Sequence, residues 1–207
     1  MSKHAVVFGY SGHAYVVLDI LIANQYHIAG YYDTAPKGNN PFNLSYLGTE
    51  QDDSVFEKLE DYDAFLAIGD NHTRARLFEK LFQYHINTPA AIHTTATVSP
   101  IAEIGGGTVV MPGAVINAIA KIGNAVICNS SSVIEHECVI EDYAHIAPGA
   151  VLAGNVKVGK NSFVGANAVI KQGIIIGANV VIGAGSVITK NVDDGLTVYG
   201  NPAKLIR

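Results

Sequence analysis

The sequence predicts an α/β domain of Rossmann type followed by a parallel β-helix, and three observations carry that reading. Every sixth residue from Ile92 to Ile188 is Ile, Val or Leu, with Cys128 the one exception. Four residues after each stands another small or apolar side chain, as at Ala96, Ala114, Ser132, Ala150, Ser162 and Val180. Before residue 90 that register is absent, and strand-like apolar runs alternate with helix-like ones.

A short fixed period marks a solenoid, in which each repeat buries its face only against its neighbours. Six suits neither a helix of period 3.6 nor an alternating strand. Three hexapeptides, about 18 residues, close one triangular coil with a strand on each side and a bend at each corner. Gly105, Gly123, Gly159, Gly177 and Gly183 follow directly after inward aliphatics, where a missing Cβ is expected to ease the bend.

The first half reads element by element. His4 to Phe8 forms a buried strand, and Gly9-Tyr10-Ser11-Gly12-His13 a turn. A helix runs from His13 to Asn24, its apolar face made by Val16, Val17, Ile20 and Leu21. His27 to Tyr32 is a second strand ending at Asp33, and residues 36–41 are loop by composition. Asp63 to Ile68 is a third strand, followed by Gly69-Asp70-Asn71 and a helix from Thr73 to Tyr84. A short strand near Thr88 to Ile92 leads into the solenoid. The expected division is therefore residues 1–88 and 89–207.

Parallel sheets of this type bind ligands beyond the carboxyl ends of their strands. Three such ends carry glycine or polar residues: Gly9, Ser11, Gly12 and His13; Asp33; and Gly69, Asp70 and Asn71. The first turn opens a helix N-terminus, which favours a phosphate. With no full dinucleotide fingerprint, a purely structural turn stays open as an alternative. The three ends together point to a nucleotide-type ligand.

A net charge of −5 without a Lys/Arg cluster excludes a nucleic-acid field. Cys128 and Cys138 both fall at inward positions, as buried thiols in a reducing compartment would. With no N-terminal signal pattern and no long apolar span, the expectation is a cytoplasmic protein without a membrane span. No histidine or cysteine pair has metal-ligand spacing, so no metal is expected.

Across the solenoid, Ser130-Ser131-Ser132-Val133-Ile134-Glu135-His136-Glu137 stands out. His136 lies two residues past an inward aliphatic, at a corner and pointing outward. A histidine there accepts a proton at neutral pH, and Glu137 or Glu135 can fix its tautomer. A surface histidine of no consequence is the plain alternative. Coil arithmetic favours chemistry, because Gly154 falls about one strand spacing, roughly 4.8 Å, above His136. Its backbone N–H can donate to an acyl carbonyl or its developing oxyanion. His145 lies half a coil away and meets His136 only across an interface between copies, as in a closed trimer. His4, His27, His72, His85 and His93 read as surface or packing residues, whereas His13 is placed to touch a ligand.

These residues give the chain a family likeness. The unbroken hexapeptides and the closing Tyr199-Gly200-Asn201-Pro202-Ala203-Lys204 resemble the left-handed β-helix, hexapeptide-repeat acyltransferases. Over nearly the whole chain it resembles the nucleotide-amino-sugar N-acetyltransferases of bacterial glycan pathways, the bacillosamine and perosamine type. The likeness rests on Gly9 to His13, Ala67 to Asn71 and Ser131 to Ile140. The short glycine motifs are shared with sialic acid O-acetyltransferase-like relatives.

The resemblance implies a left-handed solenoid and acetyl-CoA as co-substrate. It also implies a UDP- or dTDP-linked 4-amino-4,6-dideoxy sugar as acceptor, and a homotrimer with sites at its interfaces. By the same likeness His136 is the general base, Glu137 its orienting group, His145 a holder of acetyl-CoA, and Gly154 N–H the donor to the thioester carbonyl. The N-terminal turn with Asp33, Asp70 and Asn71 would hold the nucleotide sugar. Thr34 stands where some relatives carry a second acid, and Tyr10 replaces a small residue, which touches base or sugar identity. An O-acetyltransferase acting on sialic acid or polysaccharide, and a non-catalytic sugar-nucleotide-binding solenoid, are the rival readings.

Overall fold

The computed structural model describes residues 3–206. Strands β1 (Lys3–Phe8), β2 (Tyr26–Tyr32), β3 (Tyr46–Gly48) and β4 (Asp63–Leu66) form a parallel sheet in the order β3-β2-β1-β4. Helices α1 (Gly12–Ala23) and α2 (Asn71–Gln83) follow β1 and β4. β1 is central, and its Ala5–Phe8 run is buried throughout, as a parallel strand covered on both faces requires. Sequence reading misses β3 and a 3-10 turn at Asp53–Lys58. β3 is a three-residue edge strand with two residues exposed, too short for any period to show.

The strand expected near Thr88 to Ile92 shrinks to Ala91–Ile92 and pairs in parallel with Val109–Val110. It is the first rung of the solenoid. From there two-residue strands stack into three parallel sheets, the sides of a triangle. Partners are eighteen residues apart, as in Ile122↔Ile140, Cys128↔Ile146 and Ile134↔Leu152. The inward column is closed to solvent, with Ile116, Cys128, Ile134, Ile146 and Leu152 all at 0% exposure. A hairpin of Thr197–Gly200 and Ala203–Leu205 covers the last coil.

The corners correct one expectation. The glycines directly after the inward aliphatics are not the bend residues. A Cβ on Gly105 or Gly159 would lie 2.6 or 2.5 Å from backbone of the next coil, so close stacking of rungs selects glycine there. The bend falls two residues later, where φ is positive: Asn155, Asn161, Asn167, Asn179, Gly149, Gly173 and Gly185 occupy it at many corners, and Ile119, Ala125, Ser131 and Tyr143 at others. Asn and Gly tolerate this left-handed conformation best. Glu137 holds the same position at φ 62°, against that preference.

The two halves share their cores. Outward residues Val109, Met111 and Ile127 of one solenoid face pack with Val17, Leu21 and Phe65 of the α/β domain. Ala125 and Tyr143 pack with Leu77 and Phe78 of α2. One wall of the triangle is thereby the floor of the domain above it.

Candidate functional site

His136 stands at the corner between the six-stranded and five-stranded faces, opposite the face that carries the α/β domain. Its side chain is 52% exposed, and Nδ1 lies 3.0 Å from Oε2 of Glu137. That bond assigns the proton to Nδ1 and leaves Nε2 as the free acceptor. The left-handed turn at Glu137 sits between this pair and the next strand. The opposite neighbour is Gly154: a Cβ there would lie 2.5 Å from the ring's Cε1 and 2.6 Å from Nε2. Gly154 is buried beneath the ring, and its N–H has no hydrogen-bond partner among the described residues. Asn117 donates to Glu135 on the rung below, at 2.9 Å, which occupies the other carboxylate of the segment.

His145 lies on a different wall, in the strand His145–Ile146 beneath the α/β domain, and one chain does not bring it to His136. It is 8% exposed, edge-on to Phe163, with Nε2 3.0 Å from Asn129 Nδ2. Its Nδ1 is buried beside the Gly69 backbone without a well-formed hydrogen bond. Burial, then the nearby Arg74 and His13, push its pKa down to about 3. His13 is held down to about 4 by burial and by Arg74, and its Nε2 is likewise buried without a partner. Both imidazoles are neutral at pH 7.

Arg74 organises this junction. It is wholly buried and makes no ion pair with a carboxylate among the described residues. Its Nε donates to Ala125 O at 2.7 Å and its other nitrogens to Ile68 O, Gly69 O and Tyr143 O at 2.8–3.2 Å. It also donates to Asn71 Oδ1 at 2.9 Å, and Asn71 Nδ2 in turn donates to Asn161 O at 2.9 Å. Asn71 thus pins α2 to the solenoid, its amide engaged within the chain rather than facing the strand ends. The only available signal is the Asn71-x-x-Arg74 spacing in the first turn of α2.

The remaining strand-end residues gather on one side. Gly9 needs its positive φ of 94°, and a Cβ would lie 2.8 Å from Ala67 O. Ser11 and Gly12 are exposed at the start of α1, with open space over Gly12. Burial pushes the Asp33 carboxyl up, but bonds from Lys37, Tyr10 N–H and Thr34 N–H outweigh it and hold it below the usual range. Asp70 caps α2 by accepting from Thr73 N–H at 2.8 Å, and that hydrogen bonding lowers its pKa. Beyond these ends lies a cavity of about 610 Å³ lined by Thr34, Glu50, Thr73, Arg76 and Lys80 among others. Glu50 and Arg76 there are missed by sequence reading, since no motif frames them. Glu50 Oε2 is buried without a hydrogen-bond partner.

A hexapeptide solenoid with a His-Glu pair at an open corner, joined to a nucleotide-type α/β domain, defines a hexapeptide-repeat acyltransferase. Comparison with known proteins narrows the class. The PglD N-terminal domain family matches residues 4–81, and the hexapeptide repeat of succinyl-transferase matches residues 155–190. The acetyltransferase domain of PglB from Neisseria gonorrhoeae, solved with acetyl coenzyme A, is 35% identical over 100% of both chains, with a TM-score of 0.93. PerB from Caulobacter crescentus, solved with CoA and GDP-perosamine, is 33% identical, with a TM-score of 0.92, over 99% of this chain and 97% of that one. GDP-perosamine N-acetyltransferase of Escherichia coli O157:H7 is 37% identical over 93 residues, which span 45% of this chain and 42% of that relative. The chain belongs to the hexapeptide-repeat family of nucleotide-amino-sugar N-acetyltransferases, with their left-handed β-helix.

Proposed function

We propose that the protein moves acetyl from acetyl-CoA to the 4-amino group of a nucleotide-linked 4-amino-4,6-dideoxy sugar. The observation that carries the reading is the His136 corner: a histidine with Nδ1 held 3.0 Å from Glu137, its ring lying against Gly154. Nε2 takes the proton of the attacking amine as the C–N bond forms, and Glu137 steadies the imidazolium. The Gly154 N–H donates to the thioester carbonyl as its oxygen gains charge. Direct transfer needs no acyl-enzyme, because Cys128 and Cys138 are buried and burial raises both thiols, Cys128 to about 12. The strand-end cluster with Asp33 and the adjoining cavity receives the nucleotide.

The working unit in this reading is a homotrimer. One solenoid face presents Val115, Val133, Val151, Val169 and Val187 outward in a ladder, with Val169 42% exposed. A second copy seated there brings its own side chains toward the corner. Among the described residues no helix is long and apolar enough to cross a membrane, and the unpaired buried thiols suit the cytoplasm.

Thiol release from acetyl-CoA tests the reaction with UDP-, dTDP- and GDP-linked 4-amino-4,6-dideoxy sugars and free sialic acid as acceptors. Fast release with one amino sugar establishes the reaction and its nucleotide. Release with sialic acid alone moves the protein to O-acetyl transfer, and silence with all acceptors removes the catalytic reading.

A further inference from the structure

Three elements of the α/β domain meet at one end of its sheet. β2 and β3 are parallel neighbours, so Thr34, just past β2, and Glu50, just past β3, emerge together. Thr73, Arg76 and Lys80 recur at helical spacing and share one side of α2. With Leu77 as an apolar wall, these residues line the cavity of about 610 Å³.

Two opposite charges in this cavity are left over. Glu50 has one carboxylate oxygen, Oε2, buried without a hydrogen-bond partner among the described residues. The lysines near it are engaged elsewhere. Lys37, close enough to feel its charge, is paired with Asp33 at 2.7 Å. Lys80 reaches the Glu50 backbone carbonyl at 3.4 Å, but its ion pair is with Asp53 and it lies over the Phe56 ring. Arg76 is exposed and makes no ion pair among the described residues.

A buried acceptor left unmade is costly, so Glu50 calls for a ligand that brings N–H groups. Among nucleotide bases the edges decide which. Guanine presents N1–H and N2–H side by side, a match for the two oxygens of one carboxylate. Its O6 and N7 are adjacent acceptors, the pair that a guanidinium binds in bidentate fashion. Uracil and thymine offer a single N–H flanked by two carbonyls, each of which repels a carboxylate oxygen. Adenine turns an unprotonated ring nitrogen to the same place. We propose that this cavity reads a guanine base, with Glu50 accepting from N1–H and N2–H and Arg76 donating to O6 and N7. The inference rests on the nucleotide-sugar reading of the strand ends and adds which nucleotide the sugar carries.

Calorimetric titration of the intact protein with GDP, inosine diphosphate, UDP and dTDP tests the pocket, with no acetyl-CoA and no acceptor sugar present. GDP should bind about tenfold or more tightly than UDP or dTDP. Inosine diphosphate lacks only the 2-amino group of guanine and should bind roughly fivefold more weakly than GDP. Glu50→Gln keeps the shape of the side chain and should weaken GDP about tenfold while UDP is unmoved. In that variant the gap between GDP and inosine diphosphate should close. A folding defect would weaken every nucleotide alike and leave the gap in place. UDP or dTDP binding as tightly as GDP overturns the guanine assignment, and acetyl transfer is then still judged separately by thiol release. A gap that survives Glu50→Gln overturns the role of Glu50. Binding of none of the four overturns the proposal together with the nucleotide reading beneath it.

Discussion

His136 and His145 lie nine residues apart on one solenoid and have opposite surroundings. His136 stands at an open corner, half-exposed, with a carboxylate on one nitrogen and no hydrogen-bond partner on the other among the described residues. His145 is sealed under the α/β domain, near a buried guanidinium, with its pKa held at about 3. One site offers a ring nitrogen to solvent and the other is arranged to stay uncharged. The difference comes from where on the triangle each position falls, and nine residues, half a coil, decide that.

Breaking the open corner should give the largest change. His136→Ala is expected to lower kcat by roughly 10²–10⁴-fold while the thermal midpoint stays close to that of the parent. Turnover within threefold of the parent would remove His136 from the reaction. At the sealed junction the loss should appear in stability. Arg74→Met leaves the carbonyls of Ala125, Gly69 and Tyr143 without their buried donor. Urea unfolding is expected to show a cost of about 3–5 kcal/mol. A smaller shift than 1 kcal/mol would mean that water replaces the guanidinium easily.

Gly154→Ala sharpens the contrast, because its Cβ must displace the imidazole 2.5 Å away. The ring is free to swing into solvent, so activity should fall by about tenfold or more with little loss of stability. Retained activity would show that the ring's position over Gly154 is not the working one.

Acid should act on the junction first. His145 and His13 have folded pKa values depressed to about 3 and 4. The unfolded chain, with ordinary histidines near pKa ~6.5, therefore binds more protons below that pH. Stability is full above about pH 6.5 and declines as pH falls toward those values, at up to about 1.4 kcal/mol per pH unit for each histidine. Denaturant midpoints from pH 7 to pH 4 read this directly, and a His145→Asn variant should flatten the slope. An unchanged slope would show that His145 is accessible to protons in the folded state.

The smallest effect concerns the corner turn. Glu137 occupies a left-handed position that Asn or Gly fills at many other corners of the solenoid. Glu137→Asn should gain about 0.5–1 kcal/mol of stability while the rate falls, since the carboxylate on His136 is lost. A destabilised variant would show that the His136–Glu137 pair outweighs the backbone cost.

Much of this was legible because a period needs no tertiary knowledge. Ile92 to Ile188 defines the coil, and the coil places Gly154 over His136. The strand ends at Gly9, Asp33 and Gly69 follow from the alternation of β1, β2 and β4 with their helices. What the sequence hid had no repeat to reveal it. Arg74 looks like any surface arginine of a helix until the helix is docked on Ala125 and Tyr143. Asn71 reads as a strand-end ligand group, yet its partners lie about ninety residues away. Glu50 and Arg76 come to line one cavity only once the chain folds. The corner glycines were found for the wrong reason, since stacking distance and backbone bend leave similar traces in composition.

The eighteen-residue register also governs what lengths of insertion or deletion the chain tolerates. Removing one hexapeptide between the α/β domain and His136 preserves every inward aliphatic, yet it turns the base a third of the way round the axis onto another edge. Removing three returns it to the same edge, lowered by one rung of roughly 4.8 Å. The inward column is indifferent to the first change, but the wall packed on the α/β domain and the site are not, so variation in solenoid length is filtered in whole turns.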